Sequence, residues 1–456
     1  MAAVLLLTMT ACRGDDGGAE PEADDGGFPA AGPAAGSTTP GLIVGQQSVD
    51  GRLGDVVVAV DPATGETTDV PVAAIGLASG VAAGPGRVFY VSGATNVLVD
   101  LTTATVEDLG LSSEEYLPTI ARLTGGVGDR YAVLTASSGA GAVLVDLTTA
   151  EVTDLTDQLA DGLYVTGELR PDEAVALIGG QDVSYAVPTA DPAAVAPVGD
   201  GFGQLLGDGG SVVLTAPGGA SVIDLASDES RTLTDTMTGA VPVGDLVLLQ
   251  TSETEAALVD PASGDTLQTL SIGADASSPV RADDAVLLST DANQDWQLID
   301  GTDGTVTPVP DLAGYLEQPS PTGEGRWVVF RATDQGRPVV GVDTGDGGVQ
   351  PIAALPAGER FTSIAAMAPD GPWMVAATDS SSPDGTAVTR GRLINLDTGV
   401  TVDLGPRFQG AAFSPDGQQV AWSSGDAAEL QVAPVEDLRA AALVATGIVV
   451  PIWLPA

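Results

Sequence analysis

Two glycine-rich turns, Asp300-Gly301-Thr302-Asp303-Gly304 and Asp343-Thr344-Gly345-Asp346-Gly347, set carboxylates where oxygen ligands to a hard cation would stand. Ca2+ takes about six to eight oxygens and is readily gathered by a tight acidic turn. Asp300, Asp303, Asp343 and Asp346 are thus the candidate metal ligands. Neither turn carries the distal glutamate of a full calcium loop, and turn formation alone accounts for the same residues. Composition closes off most other chemistry. None of the 456 residues is histidine, and all 16 basic residues are arginine, against 62 Asp plus Glu. A Ser-His-Asp triad, a lysine Schiff base and a histidine metal cage are impossible. What remains is carboxylate, hydroxyl, arginine and tyrosine chemistry. No cofactor is implied beyond a Ca2+ ion.

The net charge of −46 repels the phosphate backbone, which excludes nucleic acid as a partner. The same excess suits solubility, a high-salt habitat or cation binding. It also destabilises a compact chain by self-repulsion unless counterions screen it.

The elements that must position these residues repeat about every 40 residues from Leu42 to the C-terminus, as strand, turn and strand without helical segments. That period predicts an all-β fold, a single β-propeller of four-stranded blades. Ten units can be counted, and eight to ten blades is the expected range. One corner is clearest in Ser414-Pro415-Asp416-Gly417, where proline fixes φ, aspartate bonds its own backbone and glycine accepts positive φ. It recurs as Ala368-Pro369-Asp370-Gly371 and, eroded, as Arg170-Pro171-Asp172-Glu173 and Ser320-Pro321-Thr322-Gly323. A second corner ends the third strand of eight units at Asp61, Asp100, Asp146, Asp224, Asp260, Asp300, Asp343 and Asp397, each followed by a Thr/Ser/Gly-rich turn. These aspartates read as turn caps. The first unit opens without an inner strand, whereas Ile448 to Trp453 is an apolar strand with no unit after it. The C-terminal strand is therefore expected to complete the first blade and remove an exposed edge.

On these corners the chain resembles the TolB-like and WD-related propeller repeats, most clearly over Phe413 to Val420 and Met367 to Val375. The resemblance implies the fold and no particular activity. Ser289 to Trp296 resembles the Asp-box of sialidase-like propellers, with Asn293 and Asp295 in place of glycine and threonine. That box is a folding corner. A sialidase-like site would also require an arginine cluster, for which Arg281 and Arg407 are candidates by placement only.

The N-terminus resembles a bacterial lipoprotein signal. Ala2 to Ala11 is a short apolar run that stops at Thr10-Ala11 before Cys12, the single cysteine. Cys12 is the expected lipidation site, residues 1–11 the signal peptide and residues 12–40 an acidic Gly/Pro/Ala-rich tether. A flexible chain of that length spans roughly 30 Å. The missing basic n-region suggests a translation start upstream of Met1. Residues 41–456 form the propeller. The expected function is a lipid-anchored, extracytoplasmic binding or scaffolding module for a protein or envelope-polymer partner, attached to the membrane through lipid only. The rival is a carboxylate-dependent enzyme acting on extracellular glycan through two facing acids. A quinoprotein dehydrogenase is disfavoured, because its blades are tryptophan-rich and this chain has five tryptophans.

Overall fold

The computed structural model divides into two compact units, Met1–Ala30 and Ala31–Ala456, and all described residues belong to the second. It describes residues 41–454 except 50–51, 73–78, 83–85, 92–94, 113–129, 137–140, 161, 163, 208, 237–238, 274–278, 283, 292–294, 313–319, 323–325, 331–337, 344–348, 357–358, 370 and 382–386. Cys12 and the signal and tether segments lie outside these residues.

The described chain is all-β, with three single-turn 3-10 helices at Thr156–Gln158, Pro310–Leu312 and Leu438–Ala440. Its strands form ten antiparallel sheets, nine of four strands and one, at residues 131–154, of three. Eight of the four-stranded sheets are simple meanders in chain order, which is the blade unit of a propeller. Burial follows the strand order: middle strands are buried on both faces, as in Tyr131–Thr135 and Gln419–Ser424, where every residue is buried. The fourth strands, such as Thr266–Ser271, face solvent along most of their length.

The remaining sheet joins the two ends of the described chain. Its order is Thr67–Pro71, Arg52–Val60, Ile43–Val49, Ile448–Trp453, so the C-terminal strand takes the inner place. Ile43 stands opposite Trp453 and Val44 opposite Ile452. The Leu454 amide adds a bond of 2.9 Å to the Leu42 carbonyl.

Apolar clusters join most neighbouring sheets among the described residues. One cluster joins Val44, Val57 and Ala59 of the first sheet to Val88, Tyr90 and Val97 of the second. Another joins Ala421, Leu430 and Val432 of the last sheet to Ile43, Val58, Val60 and Trp453 of the first.

Where neighbouring corners meet, backbone touches backbone. The Gly207 amide donates to the Gly244 carbonyl across 3.0 Å, and Gly301 lies against the Val243 and Asp284 carbonyls. Most other sheets carry leucine or proline at the place of Gly301, as at Leu101, Leu147 and Pro261. A Cβ at Gly301 would collide with both carbonyl oxygens, and neither can swing aside as a flexible side chain could. Gly301→Ala is expected to destabilise by about 1–3 kcal/mol or more, read as a melting temperature lower by several degrees.

The eroded corner at Ser320 departs from expectation. Ser320–Thr322 is itself a strand, paired from Ser320↔Val328 to Thr322↔Arg326, and Gly323 lies outside the described residues.

Candidate functional site

The turn aspartates share one construction. The carboxylate Oδ1 of the strand-ending residue accepts from the backbone amide two residues on, at 2.8 Å for Asp61–Ala63, 2.9 Å for Asp100–Thr102 and 2.9 Å for Asp224–Ala226. Asp146, Asp260 and Asp300 do the same. The amide of the fifth turn residue donates to the carbonyl of the first, as in Gly65–Asp61, Asp228–Asp224, Gly264–Asp260 and Gly304–Asp300. That fifth residue has positive φ throughout, which glycine adopts freely but which Ala104, Ala150 and Asp228 also take.

In the ninth sheet Asn395, rather than Asp397, holds this place. Its Oδ1 accepts from Asp397 and Thr398, and the Gly399 amide donates to its carbonyl. Asp397 sits two residues into the turn. An amide oxygen caps as well as a carboxylate oxygen, so the aspartate letter misleads where the geometry does not.

The fourth turn residue explains Asp303. In five sheets a Ser or Thr hydroxyl there accepts from the amide two residues on: Thr64, Thr149, Ser227, Ser263 and Thr398. Asp303 does the same with the Thr305 amide at 2.8 Å, and hydrogen bonds from Thr305 hold its carboxyl below the usual range. Asp300 accepts from both the amide and the hydroxyl of Thr302. Both carboxylates of the first candidate metal turn thus carry the bonds that build the turn. Asp343 ends the strand Pro338–Asp343 in register opposite Arg326, and Asp346 lies outside the described residues. Among the described residues no group of three or more acidic or thiol side chains is arranged to hold a metal ion.

Sequence reading passed over the arginines that open second strands. Arg87 stands in register opposite Asp100 and forks between its carboxylate, at 3.0 Å from Nε, and the Leu147 carbonyl of the next sheet, at 2.6 Å from Nη1. Arg130 puts both Nε and Nη2 on Asp146, at 3.2 and 2.9 Å, and lies over the Tyr131 ring. The signal was present as an arginine directly before the apolar runs at Val88, Tyr131 and Trp327. Burial works to raise the Asp100 pKa, but it is outweighed by the bonds from Thr102, Thr103 and Arg87, which together bring the carboxyl down to about 2. The stability this supplies is complete above the unfolded carboxylate value and is lost as pH falls from about 4 toward 2. Asp100→Asn is expected to flatten the acid limb of a stability-versus-pH profile across that window, and an unchanged limb would place the linkage elsewhere.

The Pro-Asp corners also assemble. Ser414 donates to Asp416 at 2.6 Å and accepts from the Gln419 amide at 2.9 Å, while the Gly417 amide closes the turn on the Ser414 carbonyl at 2.8 Å. Around Pro369, Ala368 bonds to Trp373 and Gly371 has φ +94; Asp370 is outside the described residues. At Arg170-Pro171-Asp172-Glu173 the glutamate takes the positive φ of the missing glycine. Its carboxylate accepts from the Arg130 and Tyr131 amides of the preceding sheet, which ties two sheets together.

Among the described residues a dense charged cluster lies in the ninth sheet, at the end opposite the capped turns. Glu359, 7% exposed, receives both Arg392 Nε and Nη2 and also the Thr378 hydroxyl at 3.1 Å. Arg392 reaches on to Asp403 at 3.3 Å, and Arg390 meets the same carboxylate at 2.7 Å. Gly391 between the two arginines has no room for a Cβ because Phe408 lies against it. This network is a brace, since every charge in it has a partner within the sheet. Of the other arginines, Arg407 pairs with Asp426, and Arg281 lies on the inner strand Val280–Ala282.

The Asp-box-like segment is a hairpin between Ala285–Asp291 and Asp295–Asp300, with Ser289 opposite Trp296. Thr290 donates to the Asp295 carbonyl, and Trp296 is buried in an apolar cluster. It has a structural place.

Among the described residues the first strands of the sheets carry few acids. Glu168 accepts from the Leu205 amide of the next sheet at 2.9 Å, and Glu359 is bound to Arg392. The strands Phe202–Leu205, Gly239–Val243 and Gly410–Phe413 contain no charged residue.

No family model and no curated relative matches the chain. Solved structures do resemble it in chain trace. A eukaryotic initiation factor aligns at 10% identity over 91% of this chain and 99% of its own, with a TM-score of 0.49. Dipeptidyl peptidase 4 of Porphyromonas gingivalis gives 11%, 81%, 59% and 0.46, so this chain spans little more than half of that enzyme. BamB of Moraxella catarrhalis gives 14%, 70%, 95% and 0.40. Chemistry at such identities rests on this chain's own residues.

Proposed function

We propose that this chain is a ten-bladed β-propeller, closed by its C-terminal strand, held at the extracytoplasmic face of a bacterial membrane by lipid on Cys12, and that it binds a protein or envelope polymer rather than catalysing a reaction. The observation that carries the binding reading is the state of the acids. Those on the described first strands, Glu168 and Glu359, are bound into the framework, and the capped turns hold their carboxylates in hydrogen bonds. A glycan hydrolase instead needs two acids facing substrate about 5–10 Å apart. Stiff sheets carrying variable connections suit a platform for a partner.

Ring closure is supported by the pairing of Ile43–Val49 with Ile448–Trp453 and by the apolar cluster shared between the last and first sheets. The lipid anchor is supported by the apolar run ending at Thr10-Ala11-Cys12. No helix among the described residues is long and apolar enough to cross a membrane.

The anchor is tested with Cys12→Ala in cells. The expected result is release into the soluble fraction or retention of the uncleaved signal, because stable attachment needs more than one acyl chain and the cysteine is where they would be joined. Membrane fractionation and mature mass identical to wild type would overturn it. Turnover of an envelope glycan by the purified chain, abolished by a single carboxylate substitution, would replace the binding reading with the enzymatic one.

A further inference from the structure

The layer between the first and second sheets contains three polar atoms without a protein hydrogen-bond partner. Gln46 is 1% exposed and makes no bond through either Oε1 or Nε2, and Tyr90, equally buried, makes none through Oη. Register brings the two residues to one layer. Gln46 stands directly opposite Val57, and opposed residues of an antiparallel pair project to the same face. Val57 belongs to the cluster that contains Val44 and Ala59 of the first sheet with Val88, Tyr90 and Val97 of the second. Gln46 thus projects toward the second sheet, into the layer that Tyr90 enters from the other side.

None of the three atoms has a protein partner, and the apolar residues packed around Tyr90 are valine, alanine and leucine. A buried amide or hydroxyl left unpaired costs about 1–3 kcal/mol each. Such groups in folded proteins find either a protein partner or an ordered water. The described neighbours that Gln46 and Tyr90 meet in this cluster are valine, alanine and leucine, beside which a charged occupant would be stranded at high cost. The occupant must be small, neutral and able both to donate and to accept. Water meets all three conditions: it can accept from the Gln46 amide N–H and the Tyr90 O–H and donate to the Gln46 carbonyl.

We propose that the layer between the first two sheets is an internal water-binding site, in which a sealed water molecule bridges the Gln46 amide and the Tyr90 hydroxyl. Burial pushes the Tyr90 phenol far above its ordinary range, which keeps it a neutral donor to that water. Gln46 is also paired in register with Val449 of the C-terminal strand. The water therefore sits beside the seam between the chain ends, and its exchange reports how often that seam opens.

A crystal structure of the full chain at high resolution is expected to show one solvent peak within about 3 Å of both the Gln46 amide and Tyr90 Oη. Oxygen-17 relaxation dispersion in solution is expected to count about one long-lived water fewer in Gln46→Leu with Tyr90→Phe than in wild type. Tyr90→Phe alone, an isosteric change, is expected to shorten the residence of that water, and it serves should the double variant fold poorly. A direct Gln46–Tyr90 hydrogen bond with no solvent between them would overturn the proposal. So would an unchanged count of long-lived waters in the folded double variant.

Discussion

Arg392→Leu lowers the stability of the ninth sheet by about 3–5 kcal/mol, because it leaves the Glu359 carboxylate buried without its cation. Glu359 is 7% exposed, and its remaining bond from the Thr378 hydroxyl cannot replace a two-pronged guanidinium. The double substitution Arg392→Leu with Glu359→Leu removes both charges and is expected to recover most of the loss, since an apolar pair of similar volume is often as stable as a buried ion pair. Denaturant unfolding of the wild type, both single variants and the double variant gives the coupling directly. Additive effects would show that the pair contributes nothing beyond its separate packing. Arg390→Leu acts on the half-exposed Asp403 and is expected to cost much less, about 1 kcal/mol or below.

Deleting Ile448 to Ala456 has the larger expected effect. It removes the inner strand of the first sheet and, with it, Ile448, Trp453 and Leu454 from two apolar clusters. It also takes away the Ile448 carbonyl that receives the Ser423 hydroxyl. At about 1.5–3 kcal/mol for each buried large side chain, the lost burial is on the order of 10 kcal/mol, comparable with the whole stability of a typical domain. The truncated chain is expected to aggregate through the open edge of Ile43–Val49 and to be cut by protease near both ends of the described fold. A monomer with an unchanged melting temperature would mean that the closing strand is dispensable.

The architecture was legible because its signals are local and repeated. A proline, an aspartate and a glycine in four successive places can hardly do other than turn, and Ser414 to Gly417 does so. Strand-ending aspartates followed by Thr or Ser announce a capped turn, and six of the eight have hydrogen bonds that build one. What escaped notice was chemistry carried by substitution or by distance. Asn395 caps in place of aspartate, and Asp303 stands in for a hydroxyl, so one letter hid a cap and another suggested a metal. Glu173 looks like an eroded glycine, yet it spans to the previous sheet. Glu359 and Arg392 are 33 residues apart in sequence and meet only through strand register, which no spacing rule reveals.

The pairing of Ile43–Val49 with Ile448–Trp453 also sets the order of events during synthesis. The first sheet cannot acquire its inner strand until Ile448–Trp453 has left the ribosome. At about 5–20 residues per second, the intervening stretch of about 400 residues takes roughly 20–80 s to make. Throughout that interval the earliest strands present an unpaired edge, and a chain whose synthesis stops anywhere before Ile448 cannot finish its own first sheet.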